Sequence, residues 1–151
     1  MPLLDASGLI EDRARIFERD AFAAGIADSP AGERIGIAVA SDADGEALAC
    51  EAGKAALIAI RVDRTGDGRV FSLARTLRQQ GYAGTIRAVG PLIPDQFRFA
   101  LDCGIDQIEI DAEQLQRQPV EQWLLAADTV TRTYVGSDGI FARRAAARGA
   151  A

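Results

Sequence analysis

The densest run of chemically useful residues in the 151-residue chain is Asp63-Arg64-Thr65-Gly66-Asp67-Gly68-Arg69. It joins an apolar run to a helix-like segment. Gly66 and Gly68 allow tight turns that expose backbone, a helix start offers free N–H groups to an anion, and Arg64 and Arg69 supply planar guanidinium forks. A phosphate or sulfate cradle is one reading of this pattern. An ordinary surface turn is the other, because Asp-Gly is common in turns and Asp67 repels the anion that the loop is asked to hold. Arg61, Arg87 and Glu109 sit inside apolar runs, so each must reach solvent at a strand end or find a buried partner. Arg87 and Glu109 are the expected structural pair, with Asp67 capping the next helix. The functional alternative places Asp67, Gly68, Arg69, Ser72, Arg87, Asp95 and Glu109 together as an anion-binding edge.

Other chemistries find fewer carriers. The chain has no His, which excludes Ser-His-Asp and Cys-His nucleophile systems, histidine metal ligation and a histidine pH switch. Sixteen of its 17 basic residues are Arg, and Lys54 alone is available for a Schiff base or a phosphate lysine. Asp42, Asp44, Asp63, Asp67, Asp95 and Asp111 are possible hard-metal ligands, but Asp42-Ala43-Asp44-Gly45 lacks EF-hand spacing, and caps and turns are the preferred reading. No GxGxxG and no GxxxxGK[ST] is present, and a net charge of −5 argues against nucleic-acid binding. Cys50 and Cys103 are too few for a metal cage and are expected to be buried free thiols. Met1–Arg13 has acids where a secretory signal has positive charge, and no apolar run reaches the roughly 18–20 residues of a membrane span. Cytoplasmic, membrane-free residence is the expectation.

The elements that position these residues follow from periodicity. Short Ile- and Val-rich runs at 35–41, 56–62, 85–90 and 106–111 predict strands, and the segments between them have helix propensity. Phe71, Ala74, Leu77 and Arg78 fall at helical spacing before Gly81, a left-handed stop, and Pro94-Asp95 opens another helix. A last helix is expected over about 119–133. Alternation at this spacing predicts an α/β domain over 34–134: a parallel sheet of four or five strands flanked by helices, flavodoxin-like or Rossmann-like, with half of a β/α barrel as the alternative. Residues 1–33 read as a helical preamble and 135–151 as a partly disordered tail.

The block from Gly66 to Ile110 resembles a bacterial family of uncharacterised proteins, domain-of-unknown-function family 934. The matching positions are Asp67, Gly68, Arg69, Ser72, Ala74, Leu77 and Arg78, then Arg87 to Gly90, Asp95 and Gln96, and then Cys103, Gly104, Asp106 and Glu109. Val70 and Pro91 depart from the family pattern. The resemblance implies a context of assimilatory sulfite reduction, because members are described as probable oxidoreductases encoded beside sulfite reductase. No flavin, nicotinamide, haem or cluster motif accompanies it, which leaves any cofactor unidentified. The expectation is an accessory protein that contacts sulfite reductase or its redox partner and binds a small anion. A small enzyme acting on an anionic sulfur or phosphate metabolite, and a non-catalytic homodimeric scaffold, are the alternatives.

Overall fold

A computed structural model describes residues 1–129. The four apolar runs form strands as expected: β4 (Ile35–Ala40), β5 (Leu57–Arg61), β6 (Thr85–Val89) and β7 (Gln107–Glu109). Three further strands precede them, β1 (Leu3–Asp5), β2 (Gly8–Ile10) and β3 (Arg15–Glu18). The helices are α1 (Phe22–Asp28), α2 (Gly45–Glu51), α3 (Arg69–Gln79), α4 (Pro94–Asp102), α5 (Ala112–Arg117) and α6 (Val120–Thr129). The expected final helix is thus present as α6, and the expected tail at 135–151 lies outside the described residues.

All seven strands share one sheet, in the order β2-β1-β7-β6-β5-β4-β3. Five of them, β3 to β7, are parallel, whereas β1 pairs antiparallel with both β2 and β7. This corrects the expectation of a four- or five-stranded parallel sheet: the sheet is larger and mixed. It also corrects the helical preamble. Residues 1–33 supply three strands, and their only α-helix is the seven-residue α1. Phe17 in β3 and Phe22 in α1 pack on the same core.

The parallel strands follow chain order from β3 to β7. Flavodoxin-like and Rossmann-like sheets reverse strand order at a switch point; this one does not, and its order is that of a β/α-barrel segment. Right-handed crossovers in unreversed order bring successive helices to the same face. The side chains agree. Ile37, Val39, Ile58, Ile60, Ile86, Ala88 and Ile108 point into one core with Leu48 of α2, Val70, Leu73, Ala74 and Leu77 of α3, Phe97 of α4 and Trp123 of α6. Strand alternation then turns Gly36, Ala38, Ala59, Arg87, Gln107 and Glu109 to the opposite face. The sheet has one oily face under helices, and its other face mixes small and polar residues with Leu3, Ile16 and Leu57.

Candidate functional site

Strand-to-helix loops place the first group of residues at the carboxyl edge. Asp67 lies just before α3, where its Oδ1 accepts from the backbone N–H of Arg69 at 3.1 Å and from Arg69 Nε at 2.9 Å. Its Oδ2 accepts from Arg69 Nη2 at 3.0 Å and from the Ser41 hydroxyl at 2.7 Å. The Arg69 fork first, then Ser41, holds the Asp67 carboxyl far below the ordinary carboxylate range. Asp67 therefore ties the loop after β4 to the start of α3, and Asp42 and Asp63 add to the negative field on Arg69. Gly66 adopts φ +87°, the left-handed conformation that its side-chain-free backbone permits. Gly68 immediately precedes α3, and its carbonyl accepts from Phe71 and Ser72. Ser72 and Asp95 are exposed on the first turns of α3 and α4. Gln96 completes the start of α4 by accepting from the Ile93 N–H at 3.2 Å.

Two more ion pairs stand at the same edge, Arg61 with Glu18 and Arg19 with Glu51. With Ala38, Ala40, Asp42 and Ala43, the first three of these charged residues line an open depression of about 560 Å³. Asp44 and Asp111, considered above as metal ligands, cap α2 and α5 instead, accepting from the N–H groups of Glu46, Ala47 and Glu113.

Arg87 and Glu109 belong elsewhere. Ile86 and Ala88 face the helices, so Arg87 points to the other side of the sheet, away from α3. There its Nη1 is 3.6 Å from Glu109, and its Nε and Nη2 donate to Gln107 Oε1 at 3.1 and 3.0 Å. The shortest charge contact is with Asp12, 3.0 Å from Nη2. The Arg87 and Asp12 side chains are only 4% and 3% exposed. Asp12 also meets Arg34 at 2.8 Å. Among the described residues the proposed anion edge is thus divided: Asp67 and Arg69 are brought together, Arg87 and Glu109 are brought together, and no hydrogen bond or ion pair joins the two groups. Sequence reasoning missed Asp12, Arg34 and Gln107. Only the requirement that a strand-borne Arg87 find a carboxylate pointed to such a partner.

A third cluster takes in several of the family-pattern residues at the opposite, amino edge. Arg78 near the end of α3 donates to the carbonyls of Gly104, Tyr82 and Gly84 at 2.7–3.0 Å and to Asp106 at 2.7 Å. Asp106 Oδ2 also accepts from the Ile86 N–H. Gly104 has φ +96°, and a Cβ there would come within 2.6 Å of Arg78 Cγ. These residues are a clamp between α3 and the starts of β6 and β7.

The thiols differ from expectation in one respect: Cys103 is buried and Cys50 is exposed. Cys50 lies near the end of α2 on the side away from Leu48 and Ala52, which face the core. Burial pushes the Cys103 thiol up, against a partial offset from Arg75, so it stays protonated at neutral pH. Native protein is expected to consume one equivalent of a thiol reagent quickly and the second only on unfolding, as followed by absorbance with and without denaturant.

A model of a bacterial protein family of unknown function, DUF934, matches residues 36–138. No curated protein matches the chain, and no solved structure does.

Proposed function

The chain belongs to the bacterial DUF934 family of proteins of unknown function, and from that premise we propose that it is an accessory protein of sulfite reduction that docks on the reductase or its redox partner through its carboxyl edge. The sulfite context comes from the resemblance described above. The docking reading is carried by one observation: the ion pairs Arg69–Asp67, Arg61–Glu18 and Arg19–Glu51 stand at this edge with their guanidinium groups partly exposed and already oriented. A fixed fork loses less freedom when it meets a partner, and arginine is enriched where protein interfaces concentrate their energy. A small-molecule pocket buries most of its ligand, whereas the depression lined by Glu18, Arg19 and Arg61 is open.

The edge is acidic on balance, because Glu18, Asp20, Asp42, Glu51, Asp63 and Asp67 stand with Arg19, Arg61, Arg64 and Arg69. A basic partner face is the complement, and association is expected to weaken as salt rises. Sedimentation of the intact chain with purified sulfite reductase, and separately with its redox partner, tests this. A complex with one of them is expected. The double variant Asp42→Lys/Asp63→Lys should weaken that complex about tenfold or more through on-rate loss while changing stability by no more than about 0.5 kcal/mol. Absence of a complex with either protein would refute the reading. Homodimerisation is a second reading, favoured by Phe99 and Leu125, which are 50% and 66% exposed on the packed helices α4 and α6. Sedimentation of the chain alone addresses it.

A further inference from the structure

We infer that the donors gathered around Asp12 form a site for a small singly charged oxyanion, a site that the chain occupies itself with the Asp12 carboxylate. Three side chains from separate segments converge there. Arg34 Nη1 lies 2.8 Å from Asp12 Oδ1. Arg87 Nη2 lies 3.0 Å and Gln107 Nε2 lies 3.4 Å from Oδ2. Gln107 is held in place for this: its Oε1 accepts two bonds from Arg87, which turns its amide nitrogen toward Asp12. The fourth bond, from the Ala14 N–H to Oδ1 at 3.0 Å, is a local turn within the β2–β3 connector and travels with Asp12. The site proper is thus two guanidinium groups and an amide around one carboxylate, the arrangement by which proteins recognise free carboxylates.

Charge balance specifies the ligand. Arg34 and Arg87 carry two positive charges, and Asp12 and Glu109 carry two negative ones, Glu109 lying 3.6 Å from Arg87. With Asp12 withdrawn, a buried guanidinium is left under-compensated by one charge, so a singly charged oxyanion restores neutrality and a doubly charged one overshoots beside Glu109. The Arg34 side chain is 49% exposed, so one wall of the site is open to solvent. In the native chain the tethered carboxylate competes at high effective concentration, which masks the site.

Calorimetric titration of the parent and of Asp12→Ala with formate, acetate and sulfate tests the inference, paired with thermal melting. The variant should melt below the parent, bind formate or acetate one-to-one at least tenfold more tightly than the parent does, recover melting temperature with saturation, and prefer either to sulfate. Adding Arg87→Met to Asp12→Ala should abolish that binding; the double variant removes the buried Asp12–Arg87 pair together and leaves the less buried Glu109, 21% exposed, without its guanidinium. A folded Asp12→Ala that shows no saturable binding, binding that survives Arg87→Met, or a preference for sulfate would overturn the proposal. Should Asp12→Ala not fold, Asp12→Asn takes its place, and no gain in formate affinity over the parent overturns it equally. Amide exchange provides a reading on the unaltered chain: formate should accelerate exchange at Ala14 by displacing the connector, and unchanged exchange at saturation would contradict the inference. None of these readouts depends on docking at the carboxyl edge.

Discussion

Arg78→Ala is expected to cost about 3–5 kcal/mol of folding free energy, enough to consume much of the stability of a domain this size. The side chain is 5% exposed and donates to three carbonyls and a carboxylate. Truncation removes all of the guanidinium's bonds at once where water is scarce, and buried acceptors that lose a charged donor make such losses large. Arg78→Lys should recover little, because an ammonium cannot reach Gly104, Tyr82 and Gly84 at once as a planar fork does. Equilibrium urea unfolding followed by Trp123 fluorescence measures both. A loss under about 1 kcal/mol for Arg78→Ala would show that the clamp contributes no more than a surface pair.

Arg87→Met should be nearly as severe, again about 3–5 kcal/mol at neutral pH, since it takes the buried guanidinium away from Glu109 and leaves the buried Asp12 with only the half-exposed Arg34 as a cation. Its pH dependence separates it from Arg78→Ala. In the parent, burial works to raise the Asp12 carboxyl, but the Ala14 N–H, Arg34, Arg87 and Gln107 outweigh it and hold it below its ordinary value. Asp12 therefore contributes stability above the unfolded-state carboxyl pKa of about 3.9, and that contribution is lost as pH falls through the lower folded-state value. Without Arg87 the Asp12 carboxyl rises from that lowered position, because one of the charges that hold it down is gone. The stability gap between parent and variant is expected to narrow as pH is lowered from about 4, where the parent begins to lose the contribution of its lowered Asp12 carboxyl. A gap that stays constant or widens would mean that the Asp12–Arg87 charge pair is not what the variant breaks.

The four central strands were legible because they are apolar and rich in Ile, Val and Leu, and helices between them implied a parallel core. The first three were not. β1 and β2 are three residues long, too short to show a period, and β3 is the four-residue run Arg15-Ile16-Phe17-Glu18 within a segment whose charge and alanine content suit a helix. β3 becomes a strand by pairing with β4 along its whole length, a tertiary effect that local propensity does not encode. The same misreading hid the partner of Arg87. Asp12 meets Arg34 and Gln107 across 22 and 95 residues of chain, and no spacing rule connects them.

Local reasoning did better with Asp67 and Glu109. A carboxylate two residues before a helix is a cap by its position, and a Glu in an apolar strand needs a cation; both pairings appear, Asp67 with the Arg69 N–H and Glu109 with Arg87. What the sequence could not reveal was that these pairs lie apart. Side-chain alternation places Arg87 and the glycine loop on different sides of the sheet, and register is set by the whole fold. Cys50 shows the limit at smaller scale: helical phase alone decides whether it or Leu48 meets the core.

Hydrogen exchange on the complex of the intact chain with whichever of sulfite reductase or its redox partner it binds bears most directly on the docking face. Protection is expected at the loops carrying Ser41 to Asp44 and Asp63 to Arg69, with the amides of α4 and α6 unchanged. Protection confined to α4 and α6, with those loops exchanging as they do in the free chain, would contradict docking through the carboxyl edge.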